Sequence, residues 1–575
     1  MKLKPFDHNY FIGYINQVFP DTVRVHFPSS VLLNKFIFSG EEFNAGLVGN
    51  YVTIEGENYG FLGRILELSL PEKERLGLNE QAFRNKDFHP TGKIEILLSF
   101  DYFNPEKANK GLSVYPGIGS KVFVCPGEFI QNYFRGFGLK PENSEISPIF
   151  NFANLISNHK TEIEVSQQAL FGRHCAIVGT TGGGKSWTVS KCLNEIIEQK
   201  GKVIIIDATG EYSTFDKLEN VEKPAILTEN SFLHYSNLTV EDIFLLLKPG
   251  GQVQQPKLLE SIQSLKLLKC LQDKGEDLSK INIKDGAIYK SNQLKRPYLE
   301  MYNKYISEVN NNSADFDINL LPQQLRFECV YDSADFGKDI SKWGDIEKTT
   351  YSHCISLMIR MNNLLSTPVF KEIFGFEKKG DDTGSLTAII DNFISDGNNK
   401  NLLRIGFEKV GYDFQAREIL ANSIGKYLLS AARDSVFKSK PIIIFVDEAH
   451  QYLNKHVKDE YFETTQLNSF DQIAKEGRKY GLFLCLATQM PRDIPQGTLS
   501  QMGTFIVHRL INQYDKEAIE NSCSTANKHS LSFLPSLGEG EAILMGVDFP
   551  MPVLLKVKKP KIEPDSKTPL FKKPN

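Results

Sequence analysis

Residues 179–186 read Gly-Thr-Thr-Gly-Gly-Gly-Lys-Ser and fit every fixed position of the phosphate-loop pattern G-x-x-x-x-G-K-[ST]. The motif constrains the fold around it, because it works only between a buried strand and a helix. Cys175, Ala176, Ile177 and Val178 form the apolar run before it. From Trp187 onward, Val189, Cys192, Leu193, Ile196 and Ile197 share one helical face. Glycines let backbone N–H groups turn inward around phosphate oxygens, and a helix N-terminus adds partial positive charge. Gly179, Thr180, Thr181, Gly182, Gly183 and Gly184 therefore form the expected cradle, with Trp187 at its exit. Lys185 can reach the β- and γ-phosphates, and Ser186 can hold Mg²⁺. The expected ligands are ATP and Mg²⁺, and the expected fold is α/β.

Composition narrows the classes. The 575 residues suffice for two to four domains. Net charge is −4, which argues against a chain that coats DNA, yet leaves room for a ring with a basic channel only. No apolar run approaches the ~20 residues a membrane helix needs, and the N-terminus lacks the apolar core of a signal peptide. Eight cysteines without a C-x-x-C pair point to reduced thiols in the cytoplasm and against zinc.

The chain divides into four stretches. Residues 1–145 are β-rich, with strand-like runs at 10–18, 22–27, 50–54, 61–68 and 93–100. Gly13, Gly56, Gly60 and Gly63 stand where turns or bulges are needed, so a small barrel is expected. It carries no catalytic constellation and reads as a docking or assembly module. Residues 146–229 and 400–555 show short apolar runs alternating with helical patterns, as in a mostly parallel sheet. Residues 230–399 lose that rhythm and read as a mainly helical insertion. Within it, Thr239-Val240-Glu241-Asp242 resembles a capping box, and 258–271 has helical spacing. Asn310-Asn311-Asn312-Ser313 and 378–384 read as exposed loops. Residues 556–575 form a Lys/Pro-rich tail, carrying Lys556, Lys558, Lys559, Lys561, Lys567, Lys572 and Lys573. It is expected to be extended and to order against a neighbour.

Further chemistry gathers at strand ends, where α/β folds bind ligands. Ile442-Ile443-Ile444-Phe445-Val446-Asp447-Glu448 is an apolar strand ending in two acids. Beside a phosphate loop, Asp447 would fix Mg²⁺ and Glu448 would polarise the attacking water, which implies hydrolysis. Asp207 and Glu211, in Asp207-Ala208-Thr209-Gly210-Glu211-Tyr212, are either further metal-site acids or a helix cap plus a solvated acid. Gln489 closes the next strand, as a γ-phosphate sensor or as a turn-capping amide. In Lys475-Glu476-Gly477-Arg478-Lys479-Tyr480, Arg478 is either an arginine finger for a neighbouring subunit or a solvated helix end. Arg173 and Arg509 are weaker candidates of the same kind.

Together these motifs resemble the HerA family of DNA translocases, in the HerA/FtsK branch of RecA-like ATPases. The parts are His174 through Ser186, Asp207 through Tyr212, Val446-Asp447-Glu448-Ala449-His450, Glu476-Gly477-Arg478-Lys479 and Ala487-Thr488-Gln489-Met490-Pro491, in that order behind a β-rich domain. The resemblance implies a homo-hexamer with ATP sites between subunits and double-stranded DNA in a central channel. It also implies a nuclease or sirtuin-like effector docked on the N-terminal barrel, in antiphage defence or DNA end processing. By position, Lys185 and Ser186 bind phosphate and Mg²⁺, Glu448 is the catalytic base, Gln489 the sensor and Arg478 the finger. Arg173 matches an arginine that the family places before the phosphate loop. Three positions depart from the family pattern. Met490 stands where an arginine is common, so that role is absent or moved to Arg492. Ala208-Thr209 replaces a Pro-His type pair, and Gly183 replaces serine or alanine. A ring scaffold that assembles and switches an effector is the alternative reading. A pump for conjugative transfer fits less well, for want of a membrane segment.

Overall fold

The computed structural model describes residues 4–38, 41–71, 88–106, 108–109, 112, 114–136, 147–378, 383–453 and 467–566. Six N-terminal strands close into an antiparallel barrel. Around the ring they run Thr22–His26, Phe11–Val18, Lys121–Val124, Tyr51–Glu55, Tyr59–Ser69 and Thr91–Asp101, and the last pairs with the first. Alternation drives this closure. Val23 and Val25 point inward beside Ile12, Ile54, Phe61 and Ile94, all fully buried. The register slips at Phe11/Gly13 and Leu62/Gly63, where bulges bend the strands. Gly60 needs its missing side chain, since a Cβ there would lie 2.2 Å from the Phe100 ring.

The second layer is an eleven-stranded mixed sheet. Seven strands are parallel, in the order Thr504–Val507, Cys175–Val178, Leu482–Thr488, Ile442–Val446, Lys202–Asp207, Leu402–Gly406 and Ala225–Ile226. Their near-continuous Ile/Val/Leu runs reflect burial on both faces. Glu541–Gly546, Val553–Val557, Ile149–Leu155 and Glu162–Ser166 extend the sheet antiparallel beyond Thr504–Val507. The result is an α/β phosphate-loop fold. Its phosphate-loop strand is central, flanked by the strands that lead into Gln489 and His508.

Barrel and sheet share a polar seam. Arg64 is fully buried and gives its guanidinium to Glu95 at 2.7 Å and to Ser530 at 2.8 Å. The same group lies over the Phe533 ring, 5.0 Å from its centroid. The Leu554 N–H donates to the Tyr51 hydroxyl at 3.2 Å.

Residues 230–394 are mainly helical. Thr239 and Asp242 form a reciprocal capping box at the head of Val240–Leu247. The long helix Gly251–Asp273 packs on Leu321–Glu328 and Lys348–Ser366, and Leu258, Ile262 and Leu265 join the same core as the sheet. Inside it, Lys290 pairs with Glu328 at 2.5 Å, both buried, and Lys290 lies 4.3 Å above the Tyr298 ring. Part of the expected loop at 378–384, residues 379–382, lies outside the described residues.

The C-terminal tail differs from expectation. Lys556 and Val557 still belong to the last strand. Beyond it the chain packs on itself. Ile562 N–H and O meet the Asn194 amide, Glu563 O accepts from the Thr214 hydroxyl, and Lys561 pairs with Glu198. The apolar Ile562 side chain, packed against the core, supplies the anchor that a Lys/Pro count does not reveal. Lys567, Lys572 and Lys573 lie outside the described residues. No helix among the described residues is long and apolar enough to cross a membrane.

Candidate functional site

The phosphate loop joins the strand Cys175–Val178 to the helix Lys185–Glu198. Gly182 and Gly184 take φ of 75° and 104°, in the left-handed region that glycine reaches without strain. The helix starts at Lys185 without a side-chain cap, so its first N–H groups have no intrahelical partner. Gly179 and Gly183 line the inner wall, and Thr180 donates through both N–H and hydroxyl to the Arg509 carbonyl at 3.1 Å.

Lys185, at the head of the helix, is buried. Its ammonium lies 2.9 Å from Asp447 Oδ1 and 2.9 Å from Glu448 Oε1. Burial works against that charge, but the two carboxylates overcome it and hold Lys185 well above the ordinary lysine value. Sheet register makes this meeting possible. Val178 stands opposite Thr488, and Val446 opposite Leu486, so the phosphate loop, Asp447-Glu448 and Gln489 emerge at one edge. Glu448 sits at φ 48°, ψ 46°, a sparsely populated conformation for a non-glycine residue that turns its carboxylate toward the loop. The Gln489 amide donates to Glu448 Oε1 at 2.7 Å and accepts from the Thr181 hydroxyl at 2.6 Å. His450 Nδ1 lies 3.3 Å from Glu448 Oε2 and 3.2 Å from Thr488 Oγ1, and burial lowers its pKa. Lys185, Glu448, Gln489 and Thr181 thus form one continuous polar chain at the mouth of the loop.

Hard oxygen donors stand beside Ser186. Glu211 faces the Ser186 hydroxyl, and burial raises its pKa. Asp447 Oδ2 and Glu211 Oε2 are buried without a hydrogen-bond partner among the described residues, and the Tyr212 hydroxyl stands beside Ser186. Orphaned buried oxygens need an explanation, and an all-oxygen donor set at a phosphate loop fits Mg²⁺ with its waters. Tyr212 escaped the sequence reading, because a tyrosine after an acid carries no metal signal of its own.

Asp207 requires a correction. Its carboxylate accepts backbone N–H groups of Gly210 at 2.9 Å and Tyr212 at 3.1 Å, and it takes the fully buried Arg404 at 3.3 Å. These partners use its lone pairs, so it holds the 208–212 turn rather than a metal. Burial and nearby Asp447 raise its pKa to about 6, while Arg404 opposes them. Trp187 is half-buried, and its ring packs against the core. Arg492 donates to Asp515 at 2.9 Å and is not free to replace the arginine missing at Met490.

Arg173 and Arg478 lie elsewhere. Both stand at the amino ends of the parallel strands, while the phosphate loop lies at the carboxyl ends. The seven-residue strand Leu482–Thr488 alone separates Arg478 from that edge by roughly 20 Å. Neither arginine can reach this chain's own phosphate loop. With Lys475 and buried His174 they line a basic cavity of about 300 Å³, where Arg173 also pairs with Asp548 at 2.8 Å. Arg509, exposed, lies past the strand Thr504–Val507 and touches the phosphate loop through its carbonyl.

The chain is similar to known helicase sequences. Residues 150–350 match the family described as the central domain of helicase HerA, and residues 435–562 match the HerA-like C-terminal family. A probable helicase of Methanocaldococcus jannaschii is 24% identical over 529 residues, covering 89% of this chain and 86% of its own length. The DNA double-strand break repair helicase HerA of Sulfurisphaera tokodaii is 23% identical over 431 residues, covering 72% of each chain. Among solved structures, the plasmid coupling protein TrwB with ADP and Mg²⁺ aligns with a TM-score of 0.42 at 13% identity, over 76% of this chain and 94% of that one.

Proposed function

The chain belongs to the HerA helicase family, and on that premise we propose that it is an ATP-driven DNA translocase or helicase whose nucleotide sites are completed between subunits of a ring. It is an ATP-hydrolysing phosphate-loop enzyme. The observation that carries this reading is the placement of Glu448. Its carboxylate is held beside the metal-type acid Asp447, contacts Lys185 and is oriented by Gln489. A carboxylate fixed there can take a proton from water as that water meets the γ-phosphate, which mere nucleotide binding would not require.

The other roles follow from position. Lys185 leaves its carboxylate pairs for the β- and γ-phosphates when nucleotide enters. Thr181 and Gln489 report its presence, because their hydrogen bonds bridge the phosphate loop and the base. Ser186, Asp447 and Glu211 would hold Mg²⁺, with Tyr212 behind them, and the ion would supply charge neutralisation at the phosphates. Arg173 and Arg478 serve a neighbour's γ-phosphate, since their own lies at the far end of the sheet. Six subunits with double-stranded DNA in the channel, and a nuclease or other effector on the barrel, complete the proposal.

The test is ATP turnover with and without duplex DNA. Lys185→Ala should lose ATP binding. Glu448→Ala should bind ATP and lose turnover by about 10²–10⁴-fold. DNA should stimulate the wild-type rate, and the stimulation should fall steeply as salt rises. Full turnover by Glu448→Ala would remove the carboxylate from its role as base. A rate indifferent to DNA would remove DNA as the substrate.

A further inference from the structure

One side of the phosphate loop rests on a buried histidine and on the turn at Gly540. His508 follows the strand Thr504–Val507 and is completely buried. Its backbone N–H donates to the Val178 carbonyl at 2.7 Å, one residue before the loop. Its ring nitrogens have assigned partners. Nδ1 lies 2.8 Å from the Glu541 carbonyl, which only accepts, so Nδ1 carries the proton. Nε2 is then an acceptor and takes the Thr188 hydroxyl at 2.9 Å, while the Gly183 carbonyl also faces the ring. Thr188 lies in the first turn of the helix that follows the loop.

The packing is equally specific. A Cβ at Gly179 would meet His508 Cβ at 2.6 Å, and one at Gly184 would meet Gly540 Cα at 2.8 Å and His508 Cε1 at 3.5 Å. The Gly540 N–H donates to the Gly183 carbonyl at 3.2 Å. The inner wall of the loop therefore lies on His508 and on the turn at Gly540.

We propose that His508 is a positioning residue for nucleotide, a neutral imidazole of fixed tautomer that sets the curvature of the phosphate loop from beneath. The proposal rests on the reading of 179–186 as a nucleotide site. His508 touches no phosphate and acts through Thr188 and the glycines. That curvature decides how many backbone N–H groups converge on the phosphates, so losing it weakens ADP and ATP alike and leaves the chemical step at Glu448 in place. Burial keeps the ring neutral, with a pKa lowered to about 4, so Nε2 remains an acceptor around neutral pH.

The experiment compares full-length His508→Leu, His508→Gln and Thr188→Val. ADP affinity with Mg²⁺ is read by calorimetry, kcat and KM by ATP turnover, and folding by the thermal midpoint without nucleotide. His508→Leu should weaken ADP about tenfold and raise KM in step, with kcat within about threefold. His508→Gln, which places an amide near the Nε2 position, should recover most of that loss. Thr188→Val should weaken ADP similarly and add little to His508→Leu. Wild-type ADP affinity in a folded His508→Leu overturns the proposal. So does a loss that His508→Gln fails to recover at equal thermal stability. Should His508→Leu not fold, unchanged affinity in Thr188→Val overturns it. A wild-type protein that binds no ADP would instead sink the nucleotide reading itself.

Discussion

Two buried histidines give the clearest consequence at the scale of single residues. His174 and His508 both have pKa values lowered to about 4 by burial. The unfolded chain binds protons near pH 6.5, before the folded chain does. Stability is therefore full above pH 6.5, falls as pH drops through the unfolded value, and levels off near pH 4. Each fully buried imidazole accounts for about 3 kcal/mol over that window. Urea unfolding at pH 7 and pH 5 should show the loss, and His508→Gln should show a smaller one. An equal loss in wild type and His508→Gln would contradict the buried neutral ring, because Asp207, raised to about 6, offsets part of the total in both. These residues also mark where sequence reasoning runs out. Lys185 and Ser186 were legible because the phosphate-loop motif is local, and Asp447-Glu448 because an apolar strand runs straight into them. The partner of His508 is 320 positions away. Only the fold brings them together, and a histidine after an apolar run carries no signal of its own.

Among elements, the turn after Lys202–Asp207 shows how a metal-like acid can be structural. Asp207 and Arg404 lie 197 positions apart, and Arg404 also pairs with Asp216 at 2.7 Å and Glu408 at 3.2 Å. Removing one partner of a buried pair leaves an uncompensated charge, so Arg404→Leu should destabilise the protein by about 3–5 kcal/mol. Thermal or denaturant unfolding measures it, and a loss below about 1 kcal/mol would contradict the buried network. Local signals did carry some elements, such as the Thr239–Asp242 box and the glycine-marked bulges of the barrel. The antiparallel strands Ile149–Leu155, Glu162–Ser166 and Val553–Val557 were not legible, since they complete the sheet through distant partners. The seam at Arg64 is of the same kind. Arg64→Ala should loosen barrel from sheet and quicken cleavage between them in limited proteolysis, while an unchanged digestion pattern would show that the other contacts suffice to join them.

For the whole molecule, the decisive feature is that the nucleotide-site residues and the two candidate arginines stand at opposite edges of the sheet. The phosphate loop, Glu448 and Gln489 lie at the carboxyl edge, and Arg173 and Arg478 at the amino edge, roughly 20 Å away along Leu482–Thr488. On the proposed function, a ring brings the arginines of each subunit against the phosphate loop of the next. Subunits carrying Arg478→Ala keep a sound phosphate loop, and subunits carrying Lys185→Ala keep a sound arginine. The most direct measurement is ATP turnover of the two variants mixed in equal amounts and allowed to exchange subunits. Each alone should be nearly inactive, and the mixture should regain a substantial part of the wild-type rate. A mixture no more active than its components, with ring assembly shown intact, would contradict it.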